Sequence, residues 1–600
     1  MKPLDKLSPA ASGALLVLIV SAVFSNVFQN SFHLDDFHTL LYNDHVHSLK
    51  DFPAFFTSGK GFSGTPFISG FRPLTVFINA LNYRVSQTSP VGYHLVNLLL
   101  HLACSFLVWR IAFQLSQIKA VGLLSGFIFS LHPMNTEVVN YISSRSSSLS
   151  ALFYLASFSA FIQYRRHPRI KWLTLSLLAF FLALLSKEVA ITLPLLLISY
   201  DFLYQRHLKK REKVGIYFAY GFLVVLFLAV RHYFMTGGGA GGFSSPVSAN
   251  HLIDAKNIFL GSVYLATQYL RLTFFPYPLT ADHPFPKMEL GPLLIFCLLF
   301  WVLAGLLLFV FRRHKTLLFL TSWFVITLLP VFLLPGMTSL SIFQENRGYL
   351  SGGGIVILVA WVLVNLKNQL IKTHPSLNYG FAVFLWLGIS LFSYESYLRN
   401  QVWKSEVTLW GDAFKKNPAS FIACFSLGYG YLGENNLDQA LYFFKQSLNL
   451  FPPKDYLYYI HNNLGTVYYR QENNQKAFKE YLIAKELSPI LPEAHINLAL
   501  LYLKQGSYKK AAEELDTEMD VNYKHMEQRV LAAVEIERQG GKEAAGPLFL
   551  KIFSRLPDLP EYEGLRSLSK NHLKRLSFPM KRSSFSPFPL KKAFKRFNFV

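Results

Sequence analysis

The sequence predicts an all-α protein: a polytopic transmembrane helix bundle of about eleven crossings, followed by a soluble α-solenoid of stacked helix pairs. Three observations predict it. Apolar runs of membrane-spanning length recur from about residue 10 to residue 398 of a 600-residue chain that is 52% hydrophobic, contains 56 Phe and has a mean hydropathy of +0.29. Short, cation-rich loops separate several of those runs. Beyond residue 398 the runs stop and a period of 37 and then 34 residues takes over.

The apolar segments lie near 10–28, 93–115, 120–133, 148–164, 171–186, 189–204, 214–230, 258–275, 291–311, 316–335, 351–366 and 379–398. The first lacks a small-residue cleavage site and is followed by many like it, so it reads as a retained span. The loops at 165–171, 205–213 and 312–315 are dense in Arg, Lys and His and are expected to face the cytoplasm, which puts residues 29–92 on the opposite side. Three spans between the second and third basic loops would break that alternation. Residues 258–275 are therefore expected to lie along the interface or to re-enter, with an irregular end at Phe275-Pro276-Tyr277-Pro278. This count gives a membrane domain over 1–398 and an extracytoplasmic repeat domain over 399–569.

The net charge of +23 sits largely in loops beside apolar segments, where membrane orientation accounts for it, so no nucleic-acid partner is expected. Residues 570–600 contain no acid and read as a basic disordered tail. Cysteines at 104, 297 and 424 support neither a disulfide framework nor a cysteine metal site.

In the soluble region Leu427-Gly428 and Tyr431 recur as Leu464-Gly465 and Tyr468, then as Leu498-Ala499 and Tyr502, while Ala440 recurs as Ala477 and Ala511. The 34-residue offset is the tetratricopeptide period, in which small residues sit at close helix crossings and aromatic rings fill the layers. A fourth unit phases on Ala545 and Pro557, and a leading unit on Trp403, Trp410 and Pro418. Tyr429, Asn462, Asn463 and Asn497 are candidates to hold an extended peptide, although amides there also suit bonding between helices.

The residues that carry chemistry fall in loops expected on one face. Asp35 and Asp36 follow the first span and offer a general base, or otherwise a solvated helix cap. Arg72 beside Pro73 is a planar cation suited to a phosphate, or a snorkelling interface arginine. His132 and Glu137 share a loop that leads to Arg145; their i,i+5 spacing across Pro133 is no defined metal motif, so a divalent cation stays an open alternative. Lys187 and Glu188 adjoin between two spans as a neutralised pair or a phosphate contact, and Arg347 with Tyr349 precedes the span at 351–366. Carboxylates and several cations on one membrane face are what sugar transfer from a polyprenyl phosphate requires: cations for the departing phosphate, a base for the incoming hydroxyl.

At these residues the chain resembles the polytopic GT-C glycosyltransferases, and among them the transmembrane and tetratricopeptide-repeat protein O-mannosyltransferases. The matching pieces, in order, are Asp35-Asp36 with Asn43, Phe71-Arg72-Pro73-Leu74-Thr75, Tyr93-His94-Leu95-Val96-Asn97 through His101, His132-Pro133 with Thr136-Glu137-Val138 and Arg145, Lys187-Glu188, Arg347 with Tyr349, and the repeats. The resemblance implies an inverting transfer of a sugar, mannose, from a lipid-linked polyprenyl-phosphate donor to Ser or Thr hydroxyls of a translocated protein, with the peptide acceptor met through the repeats. It implies Asp35 and Asp36 as catalytic, with Asp36 slightly preferred, and Arg72, Arg145, Lys187 and Arg347 at the carrier phosphate, supported by His132, Glu137, Glu188 and Tyr349. Only three repeats are clear, and Gly348-Tyr349-Leu350-Ser351 replaces the aromatic-leucine-proline run expected after Arg347. The short array favours a bacterial cytoplasmic-membrane enzyme with an undecaprenyl carrier and a periplasmic site over an endoplasmic-reticulum one with dolichol. A transferase acting on lipid or polysaccharide stays open beside this reading. A transporter of lipid-linked sugars is disfavoured, because the charged groups sit at span ends and the two halves of the membrane region do not resemble each other.

Overall fold

The computed structural model describes residues 8–57, 60–64, 70–205, 210–235, 255–283, 291–332, 343–374, 376–516, 523–539, 541–555 and 563–576. They form two compact units that divide after Asp412. Helices of eight residues or more in the first are α1 (Pro9–Val23), α2 (Pro73–Ser86), α3 (Pro90–Ser116), α4 (Lys119–Leu131), α5 (Arg145–Arg166), α6 (Ile170–Leu184), α7 (Leu193–Tyr204), α8 (Lys210–Met235), α9 (Ala255–Phe274), α10 (Pro292–Val310), α11 (Lys315–Leu328), α12 (Tyr349–Thr373), α13 (Leu377–Val402) and α14 (Glu406–Lys416), the last running past the division.

Each of the twelve apolar segments contains an α-helix. Six described helices, including α1, α3, α8, α10, α12 and α13, are long and apolar enough to cross a membrane. In α10 and α13 only 12% and 6% of the apolar window is buried, so most of their apolar surface faces outward, as lipid contact demands. The protein is a multi-pass membrane protein. Four helices, α4, α6, α7 and α11, have only 12 to 15 residues and rise roughly 18–23 Å, short of the ~30 Å hydrocarbon core. Helix α9 is unbroken over its 20 residues and packs Leu265, Tyr269 and Leu272 against Phe324, Leu328 and Ile355, so it joins the bundle along one face.

Local sequence explains these elements. Ser8 accepts a hydrogen bond from the Ala11 amide at 3.2 Å and Pro9 takes the first helical position, a start signal for α1. Ser12, Leu16 and Val20 then recur every fourth residue as its buried stripe. In α5 and α6 small hydroxyls replace bulk: Ser157 donates to the Ser176 carbonyl at 2.7 Å and Ser176 to that of Ser157 at 2.6 Å, which draws the two backbones together. A Cβ on Gly354 of α12 would lie 3.0 Å from the Leu320 carbonyl and from the Trp323 ring, so Gly354 serves close packing on α11.

The second unit stacks α15 (Phe421–Gly433) with α16 (Leu437–Asn449), α17 (Lys454–Arg470) with α18 (Asn474–Leu487), α19 (Pro492–Lys504) with α20 (Tyr508–Leu515), and α21 (Tyr523–Arg538) with α22 (Lys542–Arg555), then α23 (Glu563–Arg575). The repeat offsets return as geometry. Asn435, Glu472 and Gly506, 37 and 34 residues apart, all take left-handed backbone where the first helix of a pair ends. Ala440, Ala477, Ala511 and Ala545 are fully buried. Gly428 faces the Phe444 ring and Gly465 the Tyr481 ring, where a Cβ would come within 2.9 and 2.5 Å. Pro557 lies outside the described residues. Trp403 and Trp410 pack in the membrane-associated unit rather than in a leading repeat. Helix α23 runs to Arg575, beyond the start of the expected tail, because Ser569, Lys570 and His572 are buried there.

Gly465→Ala is expected to destabilise the repeats by roughly 1–3 kcal/mol through overpacking on Tyr481, whereas Gly433→Ala, with no atom within 4 Å, is neutral. Thermal unfolding of the full chain, followed by protease sensitivity of the repeats, compares the two.

Candidate active site

The segment after α1 places its two acids in opposite environments. Leu34 has φ +52, left-handed backbone that a non-glycine residue adopts at a cost. The chain reverses there, and His33 N–H donates to Asp36 Oδ2 at 3.0 Å. Asp36 Oδ1 accepts from the Ser143 amide at 2.7 Å and the Ser143 hydroxyl at 2.5 Å. Its side chain is wholly buried, and burial pushes its pKa up to about 6 against the opposing hydrogen bonds from Ser143 and His33. The Asp35 side chain is 60% exposed, with His38 Nε2 at 3.3 Å from Oδ1. Desolvation pushes Asp35 upward, but hydrogen bonds from His38 and Tyr141 and the charges of His38 and Arg72 outweigh it and hold the carboxyl below its usual range. The preference for Asp36 as base is therefore corrected: its oxygens are occupied in joining two loops, and Asp35 is the accessible acid.

The cations separate in the same way. Arg145 begins α5 fully buried, donating from Nε to Asn97 and from its two terminal nitrogens to Asn79 and Asn82, each at 2.9 Å, and to the Tyr93 carbonyl at 3.0 Å. Four of its five donors are consumed by α2 and α3, so it is scaffold and not a phosphate ligand. The next two residues of α5 reach the other cations. Ser146 accepts from Arg72 at 3.4 Å, and Ser147 accepts from Lys187 Nζ at 2.7 Å. Arg72 also forks onto Glu188, Nε to Oε2 at 3.3 Å and a terminal nitrogen to Oε1 at 3.0 Å. Burial, aided by the Arg72 charge and opposed by Glu188, pushes Lys187 down to about 7, with Arg347 adding to the depression. Beneath the desolvation that raises it, Glu188 is held far below the ordinary carboxylate range by Arg72 and Lys187. Arg72 and Arg347 thus both act as like charges on Lys187, with Glu188 as the counter-charge, near the N-terminus of α5.

The turn that carries Arg347 is pinned on both sides. Glu137 is buried and accepts from the Asn346 amide at 3.0 Å and from its side-chain nitrogen at 2.5 Å. Glu345 accepts from the Thr280 amide at 2.8 Å, His283 Nε2 at 3.0 Å and Arg399 at 3.5 Å, while Arg399 also holds Asp412 at 3.1 Å. Burial and the charge of Glu345 raise Glu137 above the usual carboxylate range.

Other expected residues lie elsewhere. His132 Nδ1 accepts from the Met134 amide and its Nε2 donates to the Thr273 carbonyl at 2.9 Å, which occupies both nitrogens inside the protein. Tyr349 is buried against Phe129, its hydroxyl 2.8 Å from His101 Nδ1. Asn462, Asn463 and Asn497 are also buried: Asn497 donates to Asn462 at 2.9 Å and Asn463 to the Tyr459 carbonyl at 2.9 Å. Asn462 and Asn497 tie two helices together and Asn463 bonds within its own, so none of the three lines a surface, and of the four candidates only Tyr429 is exposed. Sequence reasoning missed His38, Tyr141, Ser143, Ser147, Asn346 and Arg399. The three-residue step from Asp35 to His38 and the serines around Arg145 were the available signals. Among the described residues no group of three or more His, Cys, Asp or Glu side chains is arranged to hold a metal ion, and Asp35 with His38 supplies two donors.

Fold and site together define a polytopic membrane protein in which an exposed carboxylate, Asp35, lies within the electrostatic reach of Arg72. Residues 70–233 match the family described as dolichyl-phosphate-mannose-protein mannosyltransferase. Over 573 aligned residues the chain is 25% identical to the human protein O-mannosyl-transferase TMTC3, covering 84% of this chain and 59% of that one. It is 24% identical over 445 residues to the Caenorhabditis elegans protein O-mannosyl-transferase F38B6.6, covering 70% and 60%. The chain thus spans about three-fifths of the length of these relatives, and it resembles the transmembrane and tetratricopeptide-repeat O-mannosyltransferases. The Archaeoglobus fulgidus oligosaccharyltransferase structure overlaps 66% of this chain and 55% of its own at 12% identity and TM-score 0.38.

Asp36→Ala is expected to lower stability by roughly 1–3 kcal/mol for each buried donor left unpaired, while Asp35→Asn stays within about 0.5 kcal/mol of wild type. Thermal unfolding in detergent separates the structural acid from the exposed one.

Proposed function

We propose that the chain is a membrane glycosyltransferase that moves a sugar, mannose, from a polyprenyl-phosphate carrier to Ser or Thr hydroxyls of a protein acceptor. The observation that carries this reading is one exposed carboxylate, Asp35, on which Arg72 acts electrostatically, with Lys187 in turn under the charge of Arg72. In the reaction the acceptor hydroxyl gives its proton to Asp35 as its oxygen bonds to the anomeric carbon. The bond from that carbon to the phosphate oxygen breaks, and the phosphate leaves with the electron pair. Arg72, Lys187 and Arg347 stabilise the developing charge, with inversion at carbon. The repeats would raise the local concentration of the protein acceptor, and the basic loops support an extracytoplasmic site, periplasmic in a bacterial cell.

Purified full-length protein in liposomes, given undecaprenyl-phosphate mannose and Thr-rich peptides, is expected to make mannosyl peptide, and Asp35→Asn to lose at least about 100-fold in rate. Undiminished transfer by Asp35→Asn contradicts the assignment. The pH profile of kcat/KM gives a second check. Lys187 is charged below about 7 and loses its charge above it, so the alkaline limb falls near pH 7. Lys187→Arg, which keeps its charge, is expected to move that limb beyond the measured range.

A further inference from the structure

We propose that His38 is a positioning residue for Asp35, donating from Nε2 to Oδ1 so that the other carboxylate oxygen is presented to the acceptor hydroxyl. This rests on the assignment of Asp35 as the base.

The chain around Asp35 is shaped at some energetic cost. Leu34 before it has left-handed backbone at φ +52, and Phe37–Leu41 after it form a π-helical turn in which the Tyr42 amide reaches the Phe37 carbonyl at 2.7 Å. Strained single residues and π turns are rare and cluster where a side chain must be aimed. This turn carries His38, and what it aims is the imidazole. Nδ1 stands 3.0 Å from the hydroxyl of buried Ser63, and Nε2 stands 3.3 Å from Asp35 Oδ1. With one ring nitrogen committed to each partner, rotation of the ring would break both contacts. The main chain of Asp35 is fixed as well: Thr39 Oγ1 donates to its carbonyl at 2.7 Å and the Asp35 amide donates to the Tyr141 hydroxyl at 3.3 Å.

An exposed carboxylate on its own is free to rotate, and one used as a base gains from being held. His38 ties down Oδ1 and leaves Oδ2 as the oxygen that receives the proton when the acceptor C–O bond forms. The groups facing Asp35 are His38 on its own turn, Tyr141 from the loop before α5 and Arg72 from the segment before α2. Desolvation raises Asp35 and His38 is the largest influence lowering it, so loss of His38 moves the acid limb of the rate profile to higher pH.

The test compares His38→Asn, His38→Gln and Asp35→Asn with wild type, as full-length protein in liposomes with undecaprenyl-phosphate mannose and a Thr-containing peptide. The Asn amide reaches only the Nδ1 position and cannot bridge to Asp35, whereas the Gln amide reaches the Nε2 position. His38→Asn is expected to lower kcat by about 10- to 100-fold with the donor KM unchanged, and to shift the acid limb upward. His38→Gln is expected to recover most of kcat. Wild-type kcat and an unmoved acid limb in His38→Asn overturn the proposal, and so does equal impairment of the Asn and Gln variants, which marks a purely structural residue. If Asp35→Asn is inactive and His38→Asn is not, only the role of His38 fails. No transfer by wild type, or full transfer by Asp35→Asn, overturns the base assignment and this inference together.

Discussion

Asp36 is a carboxylate removed from water, and three donors from two distant stretches of chain converge on it. His33 supplies one; Ser143 supplies two, from the loop that leads into α5. Because a buried acid is costly without such partners, the two loops cannot separate without exposing or orphaning it. That constraint fixes Asp35 next door and fixes the N-terminus of α5, whose first turn holds Ser146 against Arg72 and Ser147 against Lys187. Everything proposed about chemistry depends on this join. Arg145 repeats the logic one turn deeper, where three asparagine oxygens and a carbonyl bind α2, α3 and α5 through one guanidinium.

Residues of one type thus divide into holding and working roles. Asp36 and Arg145 are buried and direct most of their hydrogen bonding inside the protein, whereas Asp35, Arg72 and Lys187 retain exposure or electrostatic tension. A membrane-edge site needs both kinds. Irregular backbone there cannot be satisfied by lipid, so buried polar side chains must do it. The carboxylates Glu137 and Glu345 do this for the turn that bears Arg347, one through Asn346 and the other through Thr280, His283 and Arg399.

Much of the fold was legible in the sequence because two signals there are nearly context-free. Every one of the twelve apolar runs contains a helix, and six of those helices are long and apolar enough to cross a membrane. Small residues at the repeat offsets mark close crossings, and at two of them, Gly428 against Phe444 and Gly465 against Tyr481, there is no room for a Cβ. The site was legible in part. The sequence names the acids and cations, but which acid faces water turns on the left-handed backbone of Leu34, a single torsion that hydropathy does not encode. Asn462 and Asn497 illustrate the opposite limit: repeat phase places them correctly on one helix face, but only packing reveals that they bond to each other.

The most direct measurement is a structure of the protein with an undecaprenyl-phosphate mannose analogue bound. The account predicts phosphate oxygens about 3 Å from the nitrogens of Lys187 and of Arg72 or Arg347, with the anomeric carbon turned toward Asp35. A phosphate seated away from these cations, or a sugar turned from Asp35 with its carboxylate reached by no part of the ligand, would contradict it.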